Sequence, residues 1–263
     1  MNLQVIRGVA TAIAQRAGME LMLYYQQPHQ ENIKQNEFDI STEADLASEK
    51  VIVAALLENF PDHHIQAEEG GGQGAEQTGA EYVWHIDPID GTSNFASSLP
   101  YFSVSMALAD RAGTPLVGVV YNPISREVFS AARGCGASLN GSPLRVSPTD
   151  TLARAMLCSG FPYDKATNPD NNLKRWGAFL PHVRGLRRFG SAALDLAAVA
   201  AGRLDGYWEA PLNSWDYLAG VLLVQEAGGR VTNYAGADDF SQGQILASNG
   251  LLHDKMVEII QQA

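Results

Sequence analysis

The stretch Trp84-His85-Ile86-Asp87-Pro88-Ile89-Asp90-Gly91-Thr92-Ser93-Asn94-Phe95 changes character halfway along. Tyr82 to Ile86 reads as a short buried strand. Asp87-Pro88 is expected to end it, because proline fixes its own φ and has no N–H to give to a ladder. Gly91 permits a tight turn. That local geometry aims Asp87 and Asp90 at one point and leaves the carbonyl of Ile89 free for a cation. Ionised carboxylates only accept hydrogen bonds, so a convergent cluster of them repels itself strongly without a counter-ion. Oxygen-only ligands suit a hard cation, and magnesium in particular combines few protein ligands with waters and phosphate oxygens.

Working outward, strands are expected over 102–109, 116–121 and 127–132, separated by turn residues such as Gly113-Thr114-Pro115 and Asn122-Pro123. Asn140-Gly141 is a hairpin signal. Ser147-Pro148-Thr149-Asp150 marks the best boundary in a single domain, 1–263, whose two lobes would meet near 147–152. Upstream, Leu3, Ile6, Ala10, Ile13, Ala17, Leu21 and Tyr24 recur at helical spacing, and Pro28 closes that helix. Thr42 with Asp45 has the form of a capping box opening a second helix towards Phe60-Pro61. The glycine-rich segment 73–80 reads as a loop. The second half alternates strands and helices. Ser191 caps one helix, another spans 215–227 before Gly228-Gly229, and a last one covers 251–261. The pattern is mixed α and β in layers.

With 263 residues, 46% of them hydrophobic, the chain can bury a large core. Its net charge of −11 and pI near 4.9 leave no general basic field for direct nucleic-acid contact. A phosphate handled by so acidic a protein needs positive charge supplied locally, by a metal ion, helix N-termini or a few basic side chains. Cys135 and Cys158 have neither metal-ligand spacing nor a disulfide framework, which favours a reducing cytoplasm. The N-terminal residues lack a basic region followed by an uninterrupted apolar stretch, so neither a signal peptide nor a membrane span is expected.

Two further acidic positions stand out: Glu68 in Ala67-Glu68-Glu69-Gly70, and Asp216 after Trp215. Taken singly, each piece has a bland reading. Glu68-Glu69 beside glycines reads as a solvated pair, and Asp-Pro-x-Asp-Gly as a turn. Asp216 and Asp45 read as helix caps, and Lys34 as an exposed lysine. The basic run Arg184-Gly185-Leu186-Arg187-Arg188 reads as a solvated face before a strand, the alternative being contact with an anionic substrate. His63-His64 reads as surface, and Trp176 and Trp208 as core.

Several blocks taken together resemble the inositol monophosphatase family. They are the opening stretch 84–95, Asn213-Ser214-Trp215-Asp216-Tyr217-Leu218-Ala219-Gly220, Arg188-Phe189-Gly190-Ser191-Ala192-Ala193-Leu194-Asp195-Leu196-Ala197, and Ala67-Glu68-Glu69-Gly70. The similarity runs from the first helix nearly to the last. It implies an α+β fold with α/β/α/β/α layers, a homodimer, and a lithium-sensitive phosphomonoesterase acting on a small polyol such as inositol monophosphate. By the same resemblance Glu68, Asp87, the Ile89 carbonyl, Asp90 and Asp216 would bind two or three magnesium ions. Glu68, Thr92 and Asp45 would serve catalysis, with Thr92 and Asp45 orienting water. Asp90, Gly91, Thr92, Ser93, Gly190, Ala192, Glu209 and Asp216 would contact substrate, and Lys34 would sit near the phosphate or an ion. Ser93-Asn94-Phe95 and Glu209 lean towards inositol phosphates. Fructose 1,6-bisphosphate, NADP, nucleotide 3′-phosphates and histidinol phosphate are the other family substrates. A regulatory protein associating with the transcription machinery is the reading from another class.

Overall fold

The computed structural model describes residues 1–76 and 79–263. Helix α1 (Leu3–Tyr24) starts at Asn2, whose side chain accepts from the N–H groups of Gln4 and Val5. It buries Ile6, Ala10, Ile13, Ala17 and Leu21, the face that the spacing marks out. A small ribbon, β1 (Asn32–Ile33) with β2 (Ile40–Ser41), leads into α2 (Glu43–Asn59). The Thr42–Asp45 capping box opens α2 as expected.

Next come β3 (His64–Ala67), β4 (Gly71–Gly74), β5 (Tyr82–Asp90) and the short α3 (Thr92–Ala96). Then follow β6 (Ser103–Asp110), β7 (Pro115–Asn122), β8 (Glu127–Ala132), β9 (Ala137–Leu139) and β10 (Ser142–Pro143). The strands make one eight-stranded sheet in the order β10-β9-β8-β7-β6-β5-β3-β4, antiparallel throughout except where β3 runs parallel to β5. Asn140 and Gly141 both take positive φ in the β9–β10 turn, the type I′ requirement.

The rest of the chain is β11 (Met156–Ser159), α4 (Leu173–Phe179), β12 (Gly185–Arg187), α5 (Ala192–Ala200), β13 (Gly206–Glu209), α6 (Ser214–Glu226), β14 (Arg230–Thr232), β15 (Ile245–Ser248) and α7 (His253–Gln262). It forms a five-stranded sheet, β12-β11-β13-β15-β14. Residues 147–150 lie between the last strand of the first sheet and the first strand of the second.

Helices α1 and α2 cover one face of the larger sheet. Helices α5 and α6 lie between the two sheets, and α4 and α7 cover the far side of the smaller one. Three apolar cores follow from this α/β/α/β/α order. The first contains Leu21, Ile52, Trp84 and Phe102, the second Leu196, Tyr207, Leu222 and Val224, and the third Phe179, Trp208 and Met256.

Three local expectations need correction. Strand β5 does not stop at Asp87. It breaks register between Asp87 and Asp90 and then pairs Asp90 with Ser103, because Pro88 has no N–H and the Ile89 N–H is taken by Asp87 Oδ1 (2.9 Å). The expected loop over 73–80 begins as strand, since Gly71–Gly74 pairs with β3; its residues 77 and 78 fall outside those described. His64 is not a surface residue: it is buried, with Nδ1 2.8 Å from the Ala75 carbonyl, while His63 Nδ1 accepts from Trp84 Nε1.

Leu222 on α6 is fully buried in the middle core. Leu222→Ala is therefore expected to cost about 2–5 kcal/mol in urea unfolding. A loss under about 1 kcal/mol would contradict the packing of α6 between two sheets.

Candidate active site

The chain reversal after β5 supplies the centre of the site. Asp87 is turned by its own bond to the Ile89 N–H, and Pro88 is anchored by Ser48 Oγ donating to its carbonyl (3.1 Å). Gly91 then adopts φ +95°, and a side chain there would meet the carbonyls of Gly190 and Tyr101. The first helical bonds of α3 run from Asn94 and Phe95 N–H to the Gly91 carbonyl.

Asp90 is buried at the start of α5. Its carboxylate accepts from the N–H groups of Ala192 (3.1 Å) and Ala193 (2.9 Å), and from the Ser191 hydroxyl. Asp216 is the third residue of its helix, and its Oδ2 accepts from the Asn213 N–H (2.7 Å), so its expected capping role is real. Glu68 follows β3, beside β5. These four acids, together with Ile89 and Thr92, line one cavity of about 290 Å³. Gly91, Gly190, Ala192 and Glu209 line it too, so every expected substrate contact reaches the cavity except Ser93.

Burial and mutual repulsion dominate the electrostatics. Asp87 is pushed well above the usual carboxylate range, first by burial and then by the charges of Glu68, Asp90 and Asp216. Burial also raises Asp216, with Glu68 adding to it. Asp90 is pushed up to about 6 by burial, against the lowering effect of its Ser191 and backbone bonds. Among the described residues no three His, Cys, Asp or Glu side chains close into a ready-made metal cage. The acids form instead an oxygen-lined wall with excess negative charge. That donor set fits a hard divalent cation completing its shell with water and phosphate oxygens.

Asp45 lies behind this wall. Its Oδ2 accepts from the N–H and hydroxyl of Thr42, both at 2.7 Å, and Thr92 Oγ1 lies 3.2 Å from its Oδ1. The same Thr92 hydroxyl is 3.0 Å from the Ile89 carbonyl. Burial raises Asp45 to about 7 despite the Thr42 bonds. Lys34 is not a free lysine: its ammonium lies 2.9 Å from Glu68 Oε1 and also bonds Glu69 Oε1.

Glu209 accepts from the Tyr207 hydroxyl (2.6 Å), and burial raises it to about 7. Arg188, read from sequence as part of a solvated face, lines the same cavity and opposes that rise. Gly160, Tyr163 and Asn213 also line it. No sequence signal singled out Gly160 or Tyr163, although Phe161-Pro162 just beyond a strand was a usable pointer to a loop at a strand end. A wider groove, about 660 Å³, lies beside Cys135 and Arg145. Its one acid, Glu226, is already satisfied by the N–H groups of Gly134 and Gly136, so it offers no comparable cluster.

Residues 2–263 match the sequence model of the inositol monophosphatase family. The inositol-1-monophosphatase of Synechocystis sp. is 43% identical over 261 residues, spanning 98% of this chain and 90% of that protein. The Nus factor SuhB of Pseudomonas aeruginosa is 45% identical over 226 residues, 85% of this chain and 83% of that one. The solved inositol monophosphatase of Anabaena (Nostoc) sp. PCC 7120 matches with a TM-score of 0.90 at 42% identity, covering 100% of this chain and 98% of that one. The chain belongs to the inositol monophosphatase family and is a phosphoric monoester hydrolase.

Proposed function

We propose that the substrate is inositol monophosphate or a closely similar polyol phosphate, that the required cofactor is magnesium, and that the phosphate ester is cleaved by water without a covalent phospho-enzyme. The observation that carries this reading is the meeting of Glu68, Asp87, Asp90 and Asp216 at one cavity, each of the last three raised by burial and by its neighbours' charge. Glu68, Asp87, the Ile89 carbonyl, Asp90 and Asp216 would hold the ions. Magnesium, when bound, supplies the Lewis acidity that activates water and screens negative charge on the ester oxygens.

The chain's own groups do the rest. Thr92 and Asp45 orient water, and Asp45, with an affinity for protons near neutrality, accepts one from it. The first-turn N–H of Thr92 has no partner within its own helix and would face phosphate oxygens. Glu209 accepts from the substrate's hydroxyls through Oε1, which takes no hydrogen bond among the described residues. Arg188 balances the charge beside it. A homodimer in the cytoplasm completes the reading.

Similarity to a protein named as a Nus factor favours a second reading, association with a transcription complex, alongside hydrolysis rather than instead of it. Every acid proposed for the metal site is present, and a binding module alone has no need of that set.

In a phosphate-release panel with magnesium, inositol 1-phosphate is expected to outrun fructose 1,6-bisphosphate, NADP, adenosine 3′,5′-bisphosphate and histidinol phosphate. A nucleotide at the head of the panel would replace the substrate assignment. Asp87→Asn should lower kcat on the order of a thousandfold or more while keeping the native circular dichroism spectrum. Full activity in that variant would end the mechanism.

Acid dependence follows from the raised carboxyls. Asp45 and Glu209 at about 7 and Asp90 at about 6 stay protonated in the metal-free fold where the unfolded chain has already released those protons. The unfolded chain binds fewer protons between about pH 4 and 7, so stability falls as pH rises through that window. The melting temperature without metal should therefore drop from pH 5 to pH 8. Magnesium should restore it at pH 8 far more than at pH 5. A melt indifferent to both would contradict the site.

A further inference from the structure

We propose that Gly160 is a specificity-determining position, acting through Glu209: the room left by its missing side chain is the seat of the Glu209 carboxylate, and that seating gives the enzyme its preference for esters of hydroxyl-rich alcohols. The inference rests on the reading of Glu209 as the acceptor for substrate hydroxyls.

A Cβ on Gly160 would stand 1.9 Å from Glu209 Oε1 and 2.1 Å from both its Cδ and Oε2. The whole carboxylate therefore lies across the glycine's Cα. Backbone strain is not the reason glycine is needed, because Gly160 does not occupy the left-handed region and alanine could adopt its conformation. The three atoms nearest to that Cβ all belong to Glu209.

The two backbones cannot simply part to make room. Strands β11 and β13 are hydrogen-bonded in parallel, with Ser159 opposite Trp208. The buried side chain of Asn172 clamps the end of that pair. Its Nδ2 donates to the Gly160 carbonyl (2.6 Å) and to Ser159 Oγ (2.7 Å), while its Oδ1 accepts from Trp208 Nε1 (2.8 Å). The clamp thus grips both residues adjoining the contact, Gly160 itself and the neighbour of Glu209. The group left to yield is the Glu209 side chain, which would swing out of its seat and lose the Tyr207 hydroxyl bond. Gly160 and Glu209 both line the reaction cavity, so the displaced carboxylate would leave the position from which it meets substrate.

The test compares kcat and KM for inositol 1-phosphate and p-nitrophenyl phosphate, which has no alcohol hydroxyls, in the wild-type chain, Gly160→Ala, Glu209→Ala and the double variant. Gly160→Ala is expected to reduce the preference for inositol 1-phosphate by roughly 10- to 100-fold, chiefly through KM, as for loss of a hydrogen bond to a charged group. Because both changes remove the same seated carboxylate, the double variant should lose no more than Glu209→Ala alone. An unchanged preference in Gly160→Ala, or losses that multiply, would overturn the inference. Should Gly160→Ala fail to fold, the double variant must fold, since the seat is then empty; a double variant that also fails to fold overturns it equally. A wild-type chain without any preference for inositol 1-phosphate would instead remove the polyol reading, and this inference with it.

Discussion

Negative charge confined in a small, buried space governs this molecule. Four acids from distant parts of the chain meet at one cavity, and burial resists the ionisation of Asp87, Asp90 and Asp216. The fold offsets that cost with oriented dipoles rather than with many cations. Asp90 is met by two amides of α5, Asp216 by the N–H of Asn213, and Asp87 by that of Ile89. The Lys34 ammonium reaches Glu68. These bonds fix where each acid points and leave charge over for an ion and its phosphate ligand.

The five-layer arrangement exists in service of that geometry. The larger sheet carries Asp87 and Asp90 on β5, while α5 and α6, held between the sheets, bring up the amides for Asp90 and the carboxylate of Asp216. The smaller sheet brings Gly160 and Glu209 to the same cavity. The proposed ion ligands Asp87 and Asp90 and the proposed hydroxyl acceptor Glu209 thus belong to different sheets.

Local signals in the sequence mapped closely onto this structure, and long-range ones did not. Helix α1, the Thr42–Asp45 box, the Asn140-Gly141 turn and the run from β6 to β8 depend on residues near one another in the chain, so periodicity and turn chemistry suffice to find them. Residue types and spacing alone make a cation site at these acids plausible, and the blocks of wording resembling a family single it out, since each acid alone reads equally well as a cap, a turn or a solvated residue. The parallel insertion of β3 beside β5 and the strand order of the smaller sheet left no local trace. His64 was misread because a polar residue in a short strand looks exposed until its partner, the Ala75 carbonyl, is known. The demand for glycine at 160 was invisible for a similar reason: it is set by Glu209 and Asn172, on other elements.

The bonds that hold Asp90 to the start of α5 join residues more than a hundred positions apart in the chain. Closing so long a loop is entropically costly, and contacts of that separation form late as a chain collapses. The larger sheet, built mostly from neighbouring hairpins, can be assembled before α5 docks onto it. Until that docking, Asp90 has neither amide and the charge centre is incomplete. Under the proposed metal role, capture of an ion would therefore depend on that docking.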